Sequence, residues 1–155
     1  MATLKHILLA SHDSEGARAA EKLAYRFCEP GTVLHHLIVV PEFWKGMQGD
    51  DWLNNAATRD DFGRYVESQL EQEIRVHVRR MQRETTKRRI RYRYEIMQGK
   101  PTECLLRFAA VTPAKLIVLG SSRPKGRPGL RSRMLDAKIF RSVRVPVVVA
   151  PFPHA

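Results

Sequence analysis

Short apolar runs that alternate with longer amphipathic segments constrain the fold of this 155-residue chain most strongly. Four mostly apolar runs have the length of buried strands: residues 4–10, 33–40, 116–119 and 145–150. A fifth run, residues 89–97, alternates Ile90, Tyr92, Tyr94 and Ile96 with charged residues, which is typical of a half-exposed edge strand with its apolar side packed on the core. Because helical patterns fill most of the intervals, the sequence predicts a parallel α/β sheet with helices on both faces.

The helical patterns have recognisable beginnings and ends. One is predicted to end near Cys28, before Pro30 and Gly31, and a long one covers residues 59–87. A third begins at Pro101, and a fourth covers residues 131–143. Residues 41–58 contain both tryptophans and are predicted to be irregular. They form either a lid or partner surface, or aromatics folded against the edge of the domain.

Length and charge limit the classes of protein that the chain can belong to. A length of 155 residues predicts one domain, residues 1–155, and no apolar run is long enough to span a membrane. Two cysteines are too few for a disulfide scaffold and indicate a reduced compartment. The formal net charge of +11 attracts polyanions. No nucleic-acid module motif accompanies this charge, so we expect a solvated basic face and no dedicated nucleic-acid partner.

A glycine-containing loop follows the third apolar run. Gly120, Gly126 and Gly129 are interleaved with Arg123 and other cations, and a helical pattern comes next. Strand, glycine loop and helix present backbone N–H groups to an anion, so the loop either binds a phosphate-bearing ligand or is an ordinary basic connection. The loop of residues 11–14 also leaves the carboxyl end of a predicted strand. We expect the two loops to meet at one crevice, where the strand order switches.

Catalytic and metal-binding patterns are weak in this sequence. His35 and His36 are adjacent in a strand, so their side chains point to opposite faces and cannot chelate one ion. We predict no metal site. Asp13 is expected to cap a helix, and no nucleophile motif such as Gly-x-Ser-x-Gly is present. The sequence therefore predicts a protein that is not an enzyme.

Four segments, in order along nearly the whole chain, resemble the universal stress protein family. They are ILLAS at 7–11, GxP at 99–101, AxLIVLG at 114–120 and VPVVVAP at 145–151. The resemblance implies a Rossmann-like, five-stranded parallel sheet with strand order 3-2-1-4-5. It also implies a cytoplasmic stress-response role, a homodimer formed through the last strand from Val145 to Ala150, and, in one branch, adenine-nucleotide binding.

The chain departs from the nucleotide-binding branch at three places. The Gly-Ser or Gly-Thr dipeptide of that branch is missing, since the two possible alignments place Asp136-Ala137 or Arg133-Met134 there. His12 stands where that branch has an aspartate, and five residues separate Gly120 from Gly126 where the branch has two. The expected function is a regulatory protein that binds ATP or AMP in a modified crevice. The alternative is a ligand-free dimer that acts through protein contacts. The predicted nucleotide-binding residues are Ala10, Ser11, His12, Ser14, Val39, Gly120, Ser121, Ser122, Gly126, Gly129 and Arg131.

Overall fold

A computed structural model describes residues 4–11, 15–40, 56–121 and 137–152. Side chains are described from residue 17 in the second range and from residue 71 in the third. Five strands and four helices alternate in these ranges. They are β1 (His6–Ser11), α1 (Glu15–Phe27), β2 (Val33–Val40), α2 (Ala56–Lys87), β3 (Arg91–Gln98), α3 (Pro101–Val111), β4 (Leu116–Gly120), α4 (Ala137–Ser142) and β5 (Val147–Ala150). The predicted order of elements is confirmed. β5 begins two residues later than predicted, just after Pro146, which has no N–H group to contribute to a ladder.

All five strands are parallel and form one sheet with the order β3-β2-β1-β4-β5. β1 lies at the centre, with Leu9 in register with His36 of β2 and with Val118 of β4. The fold class and the strand order are therefore as predicted. A strand with neighbours on both sides and helices on both faces has no side exposed to solvent. This position explains why the side chains from Ile7 to Leu9 are all fully buried.

The core consists of two apolar layers, one on each face of the sheet. The layer beneath α1 and α2 includes Ile7, Leu9, Ala20, Ala24, Leu34, Met81 and Val118. The layer beneath α3 and α4 includes Leu8, Leu37, Leu105, Phe108, Ile117, Leu119 and Ile139. Each large aliphatic side chain buried in this way contributes roughly 1.5–3 kcal/mol. The sheet is consequently held from both sides, and its strand ends are fixed in position.

The edge position of β3 is also as predicted, but the expected packing of its apolar side is wrong in part. Ile90 is buried and Tyr92 is half-buried, whereas Tyr94 and Ile96 are 47% and 46% exposed. The Tyr92 hydroxyl lies 3.7 Å from Met81 Sδ of α2. The described part of α2 therefore packs on the start of β3, and Tyr94 and Ile96 further along this strand are partly exposed to solvent.

Candidate functional site

The strand order changes direction between β1 and β4, and both strands end at the same edge of the sheet. The chain leaves β1 through α1 towards β2 and β3, and then crosses through α3 to β4 on the other side of β1. α1 and α3 pack on opposite faces. Such a switch point opens a crevice beyond the carboxyl ends of the two strands. We call the space beyond Ser11 and Gly120 the β1–β4 crevice.

Ser11, the last residue of β1, is buried at the carboxyl end of this strand. Its Oγ lies 2.6 Å from Nε2 of His36, and Nδ1 of His36 lies 2.5 Å from the Tyr92 hydroxyl oxygen. His36 is fully buried, and burial is the main cause that lowers its pKa to about 3, with the charges of His77 and Arg80 adding to the effect. The imidazole is therefore neutral near pH 7. Because a neutral imidazole has one donor and one acceptor nitrogen, at least one of the two hydroxyl groups donates to it.

The polar contacts continue from His36 to α1 and α2. The ring of His77 lies edge-on to His36 at 5.2 Å, and Arg80 donates to Nδ1 of His77 at 2.9 Å. Arg80 also donates two hydrogen bonds of 2.7 Å to the buried carboxylate of Glu21. Tyr25 donates a further bond of 2.9 Å to this carboxylate. We call the six residues Ser11, His36, Tyr92, His77, Arg80 and Glu21 the His36 network.

The sequence pattern excluded His36 from a metal site shared with His35, but it did not predict the contacts of His36 or the role of Glu21. One signal was available, since Glu21 follows Ala17 by four residues and therefore lies on the apolar side of α1. A carboxylate at such a position needs a buried cationic partner. His35 behaves as predicted, because it lies on the opposite face from His36. There its Nε2 is 3.0 Å from Nδ1 of His6.

Gly120 and Ser121 form the other side of the crevice. Gly120 is in register with Ala150 of β5, and the Ser121 N–H donates to the Ala150 carbonyl oxygen at 3.0 Å. The Ser121 Oγ is buried, and within the described ranges it has no hydrogen-bond partner. Since a buried hydroxyl without a partner costs about 1–3 kcal/mol, this oxygen is a candidate ligand-binding group.

The described structure covers five of the eleven predicted nucleotide-binding residues. Ser11, Gly120 and Ser121 lie at the common edge formed by the ends of β1 and β4. Ala10 and Val39 are buried in the layer beneath α3 and α4. The other six lie outside the described residues: His12, Ser14, Ser122, Gly126, Gly129 and Arg131. The two tryptophans also lie outside them.

The described ranges also bear on metal binding and on membrane insertion. Among these residues, no three His, Cys, Asp or Glu side chains come close enough together to hold a metal ion. None of the helices described has both the length and the apolar character needed to cross a membrane.

Comparison with known proteins supplies the family. The sequence model of the universal stress protein family matches residues 3–151. The chain belongs to the universal stress protein family. No curated protein sequence matched it.

Solved structures share the fold of this universal stress protein. The universal stress protein UspA from Lactobacillus plantarum is 18% identical, with a TM-score of 0.74 over 97% of this chain and 99% of that one. A universal stress protein family member from Burkholderia pseudomallei is 20% identical, with a TM-score of 0.63 over 96% and 97%. The hypothetical protein MJ0577 is 18% identical, with a TM-score of 0.72 over 99% and 100%.

Proposed function

We propose that this universal stress protein is a non-catalytic regulatory protein that binds an adenine nucleotide, ATP or AMP, in the β1–β4 crevice. The observation that carries the proposal is the buried Ser121 hydroxyl, which has no partner within the described ranges and follows Gly120 directly at the switch point. A phosphate or ribose oxygen would satisfy this hydroxyl. Ligands of open parallel sheets bind at such switch points.

The charge of the sequence beyond Ser121 supports an anionic ligand. Arg123, Lys125, Arg127 and Arg131 follow within ten residues of Ser121, with no carboxylate among residues 121–131. Cations and backbone N–H groups are the donors that phosphate oxygens prefer in proteins. These side chains would compensate for the altered glycine spacing, for the missing Gly-Ser or Gly-Thr dipeptide and for His12, the three places where the sequence departs from the motif of the nucleotide-binding branch.

We infer binding without turnover. Phosphoryl transfer depends on positioning and on charge stabilisation, normally by a metal ion with carboxylate ligands. Near the crevice the sequence offers only Asp13 and Asp136 for this purpose. The role that fits this composition is a change of state on nucleotide binding rather than hydrolysis.

Two measurements test nucleotide binding. The protein is purified without added nucleotide and denatured, and the supernatant is analysed for adenine nucleotides. Calorimetry with ATP and with AMP follows on ligand-free protein. We expect saturable binding of at least one nucleotide, without release of ADP or phosphate above the level of a mock purification. Absence of both a retained nucleotide and a binding heat would contradict the proposal.

A matched pair of variants locates the site. Ser121→Asp places a carboxylate at the mouth of the crevice and should weaken nucleotide binding at least about tenfold, because like charges repel at close range. Ser142→Asp introduces the same charge at the exposed end of α4 and should bind as the wild type does. Equal affinities in the two variants would exclude the crevice as the site, provided that both proteins melt cooperatively.

A ligand-free stress-response protein that acts through protein contacts is the second candidate. The observation that favours it is the composition of β5. This outer strand contains Val147, Val148 and Val149, all only partly buried. An apolar sheet edge of this kind is suited to a second copy of the chain.

A further inference from the structure

Strand β3 is an outer strand of the described sheet, on the side opposite to β5. Within the part of the chain that the structure describes, β3 pairs only with β2. Arg91 donates its amide to Thr32 and Gly99 donates its amide to Val40, so odd-numbered residues of β3 direct their N–H groups towards β2. By the alternation of strand geometry, Tyr92, Tyr94, Ile96 and Gln98 direct theirs outward. We call this outer side of residues 91–98 the β3 edge.

The side chains along the β3 edge differ between the two faces of the sheet. Tyr94 and Ile96 lie on the face covered by α1 and α2, and each is nearly half exposed. Arg91, Arg93 and Glu95 lie on the opposite face and are exposed. Seven further basic residues precede Arg91 in the sequence, since residues 75–93 contain nine basic residues and a single acid, Glu84. The edge therefore presents backbone donors, an apolar strip and a strip of net positive charge side by side.

We propose that the β3 edge binds an extended acidic peptide segment of another protein as a sixth strand. The backbone of the peptide would pair with the outward N–H and C=O groups of β3, which is the usual mode of strand addition. Side chains of the added strand alternate between the two faces. Aliphatic residues on one face would pack against Tyr94 and Ile96, and carboxylates on the other would pair with Arg91 and Arg93. This surface lies beyond the proposed nucleotide site and does not depend on it.

The distribution of charge favours an acidic peptide over a second copy of this chain. Pairing two β3 edges antiparallel would bring two copies of Arg91, Arg93 and Glu95 onto one face, which is four positive charges against two negative ones. An acidic strand instead supplies only carboxylates opposite Arg91 and Arg93. The net positive charge of the edge therefore matches an acidic partner better than a second copy of itself.

The arrangement of faces favours a peptide over a single-stranded nucleic acid. Nucleic-acid sites combine aromatic stacking with cationic groups along one groove. Here Tyr94 and the pair Arg91 and Arg93 lie on opposite faces of the sheet, so one oligonucleotide strand cannot use both. A peptide strand reaches both faces because its own side chains alternate.

Fluorescence anisotropy with a defined peptide tests the proposal. The probe is a labelled octapeptide, Glu-Val-Glu-Ile-Asp-Val-Glu-Val, and its control is the same sequence with N-methyl groups on alternate residues. We expect saturable binding of the probe, and at least about tenfold weaker binding of the N-methylated control, since N-methylation removes backbone hydrogen bonds. Equal binding of the two peptides would overturn strand addition.

Two sets of variants assign the binding to the β3 edge. Ile96→Pro removes one outward N–H without removing a hydrogen bond to β2, and it should abolish probe binding. The double variant Arg91→Glu/Arg93→Glu should weaken binding at least about tenfold. Its control, Arg107→Glu/Arg141→Glu, makes the same change in net charge at exposed sites on α3 and α4 and should keep most of the affinity.

The remaining outcomes decide between partners. Thermal unfolding shows whether Ile96→Pro folds. If it does not, the variant Arg91→Glu/Arg93→Glu still tests the proposal. A fifteen-residue oligo-dT is titrated in parallel. Overturning results are a failure of the probe to bind, equal loss in both double variants, or oligo-dT binding that exceeds probe binding and is lost in Arg91→Glu/Arg93→Glu alone.

Discussion

The imidazole of His36 makes the free energy of unfolding depend on pH. Burial, aided by the charges of His77 and Arg80, holds its pKa at about 3, against 6.5 in the unfolded chain. Between these values the unfolded chain binds a proton that the folded chain does not. The contribution of His36 to the free energy of unfolding is therefore complete above pH 6.5. It is lost as the pH falls towards 3, by roughly 1.4 kcal/mol per pH unit.

The variant His36→Gln should reduce this dependence. Glutamine can keep a hydrogen bond to Ser11 or Tyr92 but does not titrate. Urea unfolding of both proteins between about pH 4.5 and 7 should give a slope that is shallower in the variant by up to one bound proton. The carboxylates titrate in both proteins, so the difference between slopes isolates His36. Identical slopes would show that His36 is protonated to the same extent in the folded and unfolded chains.

Breaking the ion pair of Glu21 and Arg80 should destabilise the protein far more than breaking an ion pair on the surface. Glu21 has a 4% exposed side chain, whereas that of Arg80 is 37% exposed. Arg80→Met leaves the buried carboxylate without its guanidinium, and we expect a loss of about 3 kcal/mol. This is the lower end of the range for buried pairs, because solvent partly screens Arg80.

A surface pair of the same type provides the control. Arg75 and Glu71 are 66% and 65% exposed, and their contact is also short, at 3.0 Å. Arg75→Met should cost less than about 1 kcal/mol. Chemical denaturation of both variants at pH 7 gives the comparison. Similar losses would mean that the Glu21 carboxylate finds water or another donor when Arg80 is removed.

At the scale of elements, α2 ends in a turn that uses an unfavourable residue. Arg89 has a φ of 59°, the left-handed region that favours glycine. The N–H of Ile90 bonds to the carbonyl of Thr85 at 2.9 Å, and the N–H of Arg89 bonds to that of Thr86 at 3.1 Å. These two bonds define a Schellman motif, in which the position of Arg89 is usually glycine. α2 therefore ends in a regular cap with a strained residue.

Arg89→Gly should stabilise the protein by roughly 0.5–1 kcal/mol, because it relieves the left-handed strain. The gain is limited by the greater freedom of glycine in the unfolded chain. Arg89→Ala removes the same side chain and retains the strain, so it should not stabilise. Thermal unfolding of the three proteins checks this order. A glycine variant no more stable than the alanine variant would indicate that the cap carries little strain.

The elements that the sequence predicted best are those whose residue pattern is compatible with only one kind of secondary structure. Apolar runs such as the one from Ile7 to Leu9 can only be buried strands in a chain of this kind, so β1 and its neighbours followed from composition alone. The exposure of Tyr94 did not follow, because it depends on how far α2 extends over β3. The His36 network escaped prediction for a similar reason. It joins residues from five elements, and their contacts depend on strand register.

At the scale of the whole molecule, the two outer edges of the sheet have opposite chemistry. The β3 edge contains the charged residues Arg91, Arg93 and Glu95, whereas β5 is a short run of valines. A free strand edge is normally protected by charge or covered. The net positive charge of the β3 edge disfavours self-pairing, and β5 has no charged residue. Association of two copies is therefore expected at β5.

We predict a homodimer with paired β5 edges, in which each copy presents the same surface to the other. Val149→Lys places two charges close together at such an interface and should weaken the dimer at least about tenfold, whereas the partly exposed position of Val149 limits the cost to each monomer. Val111→Lys adds the same charge at a 78% exposed position on α3 and should leave the dimer intact. Sedimentation over a range of concentrations distinguishes these outcomes. A wild-type protein that stays monomeric throughout, or a Val111→Lys variant that dissociates as readily as Val149→Lys, would show that β5 is not the interface.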